Sequence, residues 1–273
     1  MSAAGAVAAL PARPRRSARS RLVAWGSVLI AAGLVVFAWL NIHGSFAELV
    51  HGMFSAKGMP DIIRRSWPPR TNVLGQSLRD SVVTFSTAIL GTFLSVIGGL
   101  ALVPFASRNL APSRVIYEAV RLFLAFTRAI DSLIFALLFV VAVGLGPFSG
   151  MLALAVHGTG IIGKLYAEAI EEMDMAPIDA LRVSGASRTQ IFLHAVLPAI
   201  TPTFTGLTLY RFDVNFRSSL VLGLVGAGGI GFDINQSMEL FQYREVFTEL
   251  LVVLVWVLVI ERVSAVLRER LGA

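Results

Sequence analysis

The chain has 273 residues, of which 56% are hydrophobic and 15% are charged, and it contains no cysteine. A soluble domain of this size does not need so much apolar surface, and the lack of cysteine excludes disulfides, thiolate metal sites and thiol catalysis. The net charge of +6 comes largely from arginines beside apolar segments, without the clustered basic face and stacking aromatics of a nucleic-acid groove. We therefore expect a protein of the lipid bilayer that binds no nucleic acid.

Long uncharged runs predict an all-α, polytopic membrane protein. Residues 22–47, 81–107 and 132–163 carry no charge, and each run exceeds the about 20 residues that a helix needs to cross the hydrocarbon layer. The third run contains a glycine-rich turn at residues 144–150, so it reads as two helices. We predict about six spans, near residues 22–42, 80–104, 116–145, 150–170, 197–224 and 244–264.

The positions of the arginines predict the orientation. Five arginines precede the first span and three follow the last one, which indicates that both termini are cytoplasmic. The loop 43–79 is then external despite its five basic residues, because the charge bias weakens in long loops. The first apolar run lacks a clear small-x-small cleavage site and reads as a retained anchor. The predicted parts are a basic cytoplasmic tail 1–21, an N-terminal anchor 22–42, the external loop 43–79, a transmembrane domain 80–264 and a cytoplasmic tail 265–273.

A polar segment between the fourth and fifth spans predicts a helical hairpin. Pro177 is suited to start a short helix, about residues 177–184, and Gly185 to end it in the left-handed conformation. Ser187 and Gln190 form an S-x-x-Q capping box for a second helix. The unit is a helix, a glycine turn and a helix at a membrane face.

This hairpin resembles the cytoplasmic coupling loop, or EAA loop, of ATP-binding-cassette (ABC) importer permeases. Their pattern is E-A-A, three residues, Gly, nine residues and I-x-L-P, and the spacing here is the same. Asp179 replaces the Glu, Leu181 the second Ala and Ala195 the Ile. The resemblance implies that the loop 171–198 docks an ATPase, although an amphipathic surface loop remains the alternative. The docking residues implied are Asp179, Ala180, Leu181, Gly185, Leu197 and Pro198, and Pro198 should also interrupt or kink the chain.

The glycine-rich stretch at residues 222–231 reads L-G-L-V-G-A-G-G-I-G and follows a polar run in the fifth span. Together these stretches resemble the phosphonate-uptake permeases among the type I ABC importers. The resemblance covers about residues 70–264 and extends in part to permeases for phosphite, phosphate or methionine. It implies a transmembrane permease subunit for phosphonate or a related phosphorus oxyanion.

Charged residues inside the fifth span are expected to have a role, since each costs at least ~2.5 kcal/mol in hydrocarbon. Helical spacing places Asp213 under Arg217 and Arg211 under Asn215, so a carboxylate can neutralise one arginine while the other remains available to an anion. An ion-paired belt that locks helices together, or an interfacial snorkelling cluster, is the alternative. The predicted pathway residues are Arg211, Asp213, Asn215, Arg217, Ser218 and Ser219.

Two further expectations concern the outer side of the protein. The glycine cluster is predicted to form a flexible gate near the external mouth, because glycine tolerates unusual dihedrals and close backbone approach. Glu249, near the outer end of the last span, is expected to be solvated by headgroup water. The gate residues are Gly226, Gly228, Gly229 and Gly231.

The resemblance implies alternating access in a complex in the inner (plasma) membrane. Two permease copies would form the pathway, cytoplasmic ABC ATPase subunits would bind ATP and magnesium, and an external solute-binding protein would deliver the substrate. No catalytic, metal or cofactor site is expected on this chain. Residues 158–164 copy the start of a P-loop, but Leu165 stands where Ser or Thr must bind magnesium. Another small solute, a passive channel and a membrane enzyme remain as alternatives.

Overall fold

A computed structural model describes residues 18–42, 46–55 and 58–271, and no strand occurs in those ranges. The chain divides into two compact units between Ile63 and Arg64. The first unit contains α1 (Ala18–Ile42) and α2 (Phe46–Phe54), and α3 (Met59–Ser66) crosses the division. In α1 the side chains from Val23 to Asn41 are unburied and predominantly apolar, with a mean hydropathy of 2.2. A helix that is apolar on all sides requires lipid or protein around it.

The second unit is a bundle of long helices connected by short ones. The helices are α4 (Leu74–Ala106), α5 (Arg114–Ala129), α6 (Ser132–Val143), α7 (Pro147–Glu171), α8 (Ala176–Val183), α9 (Arg188–Ile191), α10 (Leu197–Leu222), α11 (Ile230–Glu239) and α12 (Tyr243–Leu271). Counting α1, the described ranges contain five helices that are long and apolar enough to cross a membrane. The number is six if α5 and α6, which are bent by 86° relative to each other, form one broken span. The prediction of about six spans is therefore confirmed.

Small residues bring α7 close to its neighbours. A Cβ added to Gly91 of α4 would lie 2.7 Å from the Cβ of Leu154, and one added to Gly99 would lie 2.8 Å from Ile162 Cγ2. On another side of α7, a Cβ on Gly160 would lie 2.9 Å from a backbone carbonyl oxygen of α5. Membrane helices associate through such close packing, because lipid supplies no hydrophobic force between them.

The third predicted span, 116–145, is broken and not continuous. Asp131 has an extended backbone, and its Oδ1 accepts a hydrogen bond from the Leu133 N–H at 2.8 Å, which caps α6. The carbonyl oxygen of Ile130 at the break lies 2.9 Å from Nδ1 of His157 on α7. A carbonyl only accepts, so this nitrogen donates and the break keeps its backbone satisfied.

The segment predicted as the external loop 43–79 is largely helical. It contains α2 and α3, and α4 already begins at Leu74, which is preceded by a 3₁₀ turn. The residues before α4 bind the start of α12: the Arg70 N–H donates to Thr248 Oγ1 at 2.9 Å, and Arg244 Nε donates to the Pro68 carbonyl oxygen at 2.8 Å. Arg70 also pairs with Glu245 at 2.5 Å. These bonds hold the entry of α4 against α12.

The bundle has two ends, which we call the hairpin end and the glycine end. At the hairpin end, Arg121 of α5 pairs with Glu171 of α7 at 2.9 Å and donates through Nε to the Ala106 carbonyl oxygen of α4 at 2.8 Å. At the glycine end, the Gly146 N–H donates to the Gly226 carbonyl oxygen at 2.9 Å. Apolar clusters fill the space between, for example around Leu154.

Candidate coupling hairpin and polar pathway

The first helix of the predicted hairpin is α8, which lies one residue from its predicted bounds. It starts where Asp174 Oδ1 accepts a hydrogen bond from the Ala176 N–H at 3.0 Å. It ends at Gly185, whose φ is +78°. The Gly185 N–H donates to the Arg182 carbonyl oxygen and the next N–H, that of Ala186, donates to Leu181, both at 3.0 Å. This pair of bonds is the Schellman motif, so the predicted left-handed helix end is confirmed.

The predicted capping box is also present. The Ser187 N–H donates to Gln190 Oε1 at 2.8 Å, and the Gln190 N–H donates to Ser187 Oγ at 3.4 Å. The helix that it caps, α9, is short and passes into a π turn, Phe192–Val196, before α10. Two side-chain bonds therefore orient the second arm of the hairpin.

The interruption expected at Pro198 does not occur, because the chain remains helical there, whereas the alternative of a kink stays a prediction. Pro198 lies in the first turn of α10, directly after the π turn. The Leu197 N–H donates to the carbonyl oxygen of Phe192, five residues back. A π turn widens the helix at the place where proline has no N–H and its ring would meet the preceding turn. The helix absorbs the proline without breaking.

The hairpin surface combines charge with exposed apolar side chains. Ile178 is buried and anchors α8, whereas Val183 is 91% exposed. Asp179 and Arg182 form an exposed ion pair at 3.2 Å, and Ala180 is exposed beside them. An apolar side chain that protrudes from a polar helix is suited to a protein contact.

Three of the predicted pathway residues lie on one buried face of α10. Arg211, Asn215 and Ser219 follow one another at four-residue intervals and are 5%, 0% and 4% exposed. This face packs on α4, where Asn215 Nδ2 donates to Thr92 Oγ1 at 2.9 Å, and Ser219 Oγ approaches the Thr84 carbonyl oxygen at 3.4 Å.

The other charged residues of α10 lie on a neighbouring face. Arg217 pairs with Asp213 at 2.5 Å, and their side chains are 49% and 14% exposed. Ser218, next to Arg217, is half-buried. The predicted arrangement on two faces, with a carboxylate beneath only one arginine, is confirmed.

Arg211 occupies the place where α4, α7 and α10 meet. It forms no hydrogen bond or ion pair with another described residue, and its Nε is buried. A Cβ added to Gly158 of α7 would lie 3.6 Å from this Nε and 2.8 Å from Ser95 Cβ, so the glycine makes room for both side chains. A buried guanidinium keeps its charge and is costly without a counter-charge. Arg211 is therefore a buried cation without a counter-charge among the described residues.

The predicted gate glycines are packed against other helices. Gly226, Gly228 and Gly229 have φ values of +93°, +72° and +72°. A Cβ on Gly229 would collide with Thr84 Oγ1 of α4, and one on Gly231 would collide with the Leu220 carbonyl oxygen. The glycines thus allow positive φ and close approach, while their role as a gate stays a prediction.

Partners of the α10 polar face lie on α4 and were not predicted from the sequence. Hydroxyl residues recur there every three to five positions and face the bundle interior; they are Ser77, Ser81, Thr84, Thr87, Thr92 and Ser95. That spacing is a signal from which the polar face could have been predicted. The expectation that Glu249 is solvated is wrong: the residue is 3% exposed, and its Oε1 accepts a hydrogen bond from Ser237 Oγ of α11 at 2.9 Å.

Residues 91–272 match the family model described as "binding-protein-dependent transport system inner membrane component". The chain is 38% identical over 272 residues to the phosphite transport system permease protein PtxC of Stutzerimonas stutzeri, covering 96% of this chain and 97% of that protein. It is 37% identical over 207 residues to the phosphate-import permease protein PhnE of Mycolicibacterium smegmatis, covering 76% of this chain and 39% of that protein.

A solved structure has the same fold. The chain resembles a chain of the inward-facing MetNI methionine ABC transporter with a TM-score of 0.62 and 19% identity, covering 74% of this chain and 99% of that chain. At that identity the likeness shows the fold alone. Together with the family match, it confirms the type of protein that the hairpin and the glycine motif indicated. The chain belongs to the binding-protein-dependent transport system inner membrane components, which are ABC transporter permeases.

Proposed function

We propose that this chain is the permease subunit of an ATP-driven importer for a small phosphorus oxyanion, that is phosphonate, phosphite or phosphate. Its relatives are named as phosphite and phosphate permeases, which supports this substrate class. The observation that carries the proposal is Arg211, a buried cation without a carboxylate partner among the described residues.

The charges on α10 favour an anion at one position. Arg217 is neutralised by Asp213 at 2.5 Å, so its field is short-ranged. Arg211 has no such partner and lies beside the hydroxyl-bearing face of α4. A guanidinium presents donors in a planar fork that matches the oxygens of a phosphorus oxyanion. One uncompensated cation attracts the substrate, and the lack of a second one nearby allows release.

The hairpin is the proposed contact with a cytoplasmic ABC ATPase, which would bind ATP and magnesium. The supporting observation is that local hydrogen bonds fix its turns: Asp174 accepts from the Ala176 N–H at the start of α8, a Schellman motif ends α8, and a capping box begins α9. In this proposal the hairpin end and both termini are cytoplasmic and the glycine end is external, in the inner (plasma) membrane. The positive-inside bias of the terminal arginines supports that orientation.

The transport cycle proposed is alternating access. Two copies of the chain would enclose the pathway, and an external solute-binding protein would deliver substrate at the glycine end. ATP-driven closure of the ATPase pair would move the hairpins, and α7 and α10, which flank them, would carry the movement to Arg211. Gly226, Gly228, Gly229 and Gly231 would act as a gate near the external mouth.

The test reconstitutes the permease with its neighbouring ATPase and binding protein in vesicles and measures ATP-driven uptake of labelled phosphite, methylphosphonate and phosphate. We expect uptake of at least one of them, loss of uptake in Arg211→Gln, and partial retention in Arg211→Lys, which keeps the charge. Arg217→Gln is the matched control on the same helix, and size-exclusion chromatography shows whether each complex assembles.

Three results would contradict the proposal in different ways. Normal uptake by an assembled Arg211→Gln complex would remove the arginine from the pathway. If the complex assembles with the ATPase but transports no phosphorus oxyanion, the proposed substrate class is wrong, whereas the proposed coupling role is retained. A permease that binds no ATPase would overturn the coupling role.

A further inference from the structure

A second polar site lies at the glycine end, away from Arg211. Here α4, α11 and α12 enclose a cavity of about 260 Å³. Its lining is strongly polar and includes two carboxylates of α12 and one of α11, with no basic side chain among the lining residues. The principal lining residues are Gln76, Ser77, Asp233, Ser237, Glu245 and Glu249.

Two carboxylates at this cavity have an oxygen without a partner. Glu249 is 3% exposed, and its Oε2 is buried with no hydrogen bond, although Oε1 accepts one from Ser237. Oδ2 of Asp233 is likewise buried and without a donor. Arg70, which reaches Glu245 of this cavity, is already paired with that carboxylate at 2.5 Å. Buried anionic oxygens without donors are costly, so the site is built for a positive ligand.

Asp233 also meets a carboxylate of α4. Asp80 lies within hydrogen-bonding reach of it, and two carboxylates bond to each other only if one of them carries a proton. Burial raises the pKa of Asp233 to about 7, and the hydrogen bond and charge of Asp80 and the charge of Glu249 act in the same direction. Asp233 therefore carries a proton below about pH 7 and loses it above that value.

The carboxylate pair is located where α11 docks on α4. The Ile230 N–H at the start of α11 donates to Thr84 Oγ1 at 3.0 Å, and that hydroxyl donates to the Asp80 carbonyl oxygen at 3.1 Å. Gly229 packs directly on Thr84. The turn of α4 that carries Asp80 thus holds the first turn of α11, which directly follows the glycine cluster.

We infer that Asp233, which lines this cavity, shares a proton with Asp80 of α4, that this proton holds α11 against α4, and that loss of the proton releases α11. Within the described ranges, no three His, Asp or Glu side chains are grouped as metal ligands, which favours a proton over a metal ion. If the glycine end is external, as proposed above, the medium outside the membrane sets the state of this contact.

The direction of the pH effect follows from the two states of Asp233. When α11 is released, its carboxyl is solvated and titrates near the ordinary value of 3.8, whereas in the docked state it titrates near 7. The docked state therefore binds more protons between these values, and docking weakens as the pH rises through this interval. Above about pH 7 both states have lost the proton, and docking no longer depends on pH.

The test uses a thiol reporter, since the natural chain has no cysteine. Ser77 lines the cavity and is 1% exposed, so in the Ser77→Cys protein a maleimide reacts only when α11 moves away. The labelling rate is measured from pH 5 to pH 9 on purified protein in nanodiscs. Each rate is divided by the rate of a reference protein that carries both Ser77→Cys and Asp233→Asn. In this reference the contact does not depend on pH, because the asparagine donates to Asp80 at every pH. The ratio cancels the ionisation of the thiol itself.

We expect this ratio to rise by up to about tenfold per pH unit below pH 7 and to level off above it. Asp80→Asn in place of Asp233→Asn serves as the second reference; because Asp233 remains partly buried in it, the ratio should rise less steeply than with the first reference. The matched control is Glu239→Gln, an exposed carboxyl of the same helix, which should leave the pH dependence unchanged. A ratio that stays flat with both references overturns the inference. The assay measures no transport, so its outcome is independent of the proposed substrate.

Discussion

The hydroxyl group of Thr92 on α4 accepts a hydrogen bond from the buried side-chain amide of Asn215 on α10. Thr92 Oγ1 accepts a hydrogen bond from Asn215 at 2.9 Å and donates to the Ala88 carbonyl oxygen at 2.7 Å. Asn215 is 0% exposed, and its Oδ1 already lacks a partner. Loss of the hydroxyl would leave the amide with no hydrogen bond to a described residue, which makes Thr92 a sensitive position.

We predict that Thr92→Val lowers the free energy of unfolding by about 1 kcal/mol, the typical size of such a bond between membrane helices and at the lower end of the cost of an unsatisfied amide. Thermal unfolding in detergent, followed by loss of the monodisperse peak, measures it. Thr92→Ser keeps the hydroxyl and is the control. If the valine and serine variants unfold at the same temperature, the hydrogen bond contributes nothing.

At the residue scale, local pairs could be predicted from the sequence and distant pairs could not. Asp213 with Arg217 and Ser187 with Gln190 are four and three positions apart, so helix geometry alone places them together. The bond between Asn215 and Thr92 joins residues on different helices, and spacing along the chain carries no information about which helices meet. The burial of Glu249 was missed for the same reason, since it depends on how α11 folds over α12.

The end of α8 depends on backbone conformation and not on space. Gly185 has a φ of +78°, and nothing lies within 4 Å of a Cβ added there. A β-branched residue would be strained in the left-handed region by about 1–2 kcal/mol. We therefore predict that Gly185→Val weakens binding of the partner ATPase, measured by co-purification.

Gly185→Asn is the matched control for that prediction, because asparagine tolerates the left-handed region. It should retain the ATPase almost fully. Equal retention of the ATPase by the valine and asparagine variants would show that the Schellman motif is not needed for docking.

The contact between α5 and α7 is limited by backbone atoms. A Cβ on Gly160 would lie 2.9 Å from the Leu124 carbonyl oxygen and 3.0 Å from the Arg128 nitrogen, and neither can rotate away. We predict that Gly160→Ala separates the two helices and lowers the free energy of unfolding by about 1–3 kcal/mol. Gly75→Ala, at the start of α4, meets no atom within 4 Å and should leave the stability nearly unchanged. Thermal unfolding of both variants in the same detergent measures the difference, and equal unfolding temperatures would contradict the prediction.

At the element scale, the membrane spans could be predicted from the sequence, but the breaks and turns within them could not. Apolar runs and flanking charges report where a chain can cross a membrane, so the six spans were found. The break at Ile130 was missed because it depends on another helix, whose His157 donates a hydrogen bond to the Ile130 carbonyl oxygen. Pro198 was read as an interruption because the rule for prolines assumes α geometry, and the π turn before it was not foreseen.

For the molecule as a whole, Arg121 connects three helices to the base of the hairpin. It pairs with Glu171 at 2.9 Å and Glu168 at 3.6 Å and binds the Ala106 carbonyl oxygen. Its side chain is 19% exposed, so these bonds are partly shielded from solvent. Because only residues 172–175 separate α7 from α8, we expect this network to transmit force between the hairpin and the bundle.

We predict that Arg121→Gln lets the complex assemble and hydrolyse ATP but lowers the amount of substrate moved per ATP several-fold. Simultaneous measurement of uptake and phosphate release in the same vesicles gives this ratio. Arg114→Gln is the control on the same helix, because its ion pair with Glu118 spans 3.9 Å and is highly exposed. An unchanged ratio in Arg121→Gln would show that force passes through α7 and α10 alone.

The π turn Phe192–Val196 has a consequence for the direction in which the hairpin points. A π turn is an α-helix with one residue added, and each residue advances an α-helix by about 100° and about 1.5 Å. Deletion of one residue there would restore regular α geometry and swing α8 about a quarter of the way around the α10 axis. The number of residues in this turn thus determines the direction in which the hairpin points around the α10 axis. In an alignment with a relative, a single-residue gap at this place represents a rotation of the hairpin and not the loss of a side chain.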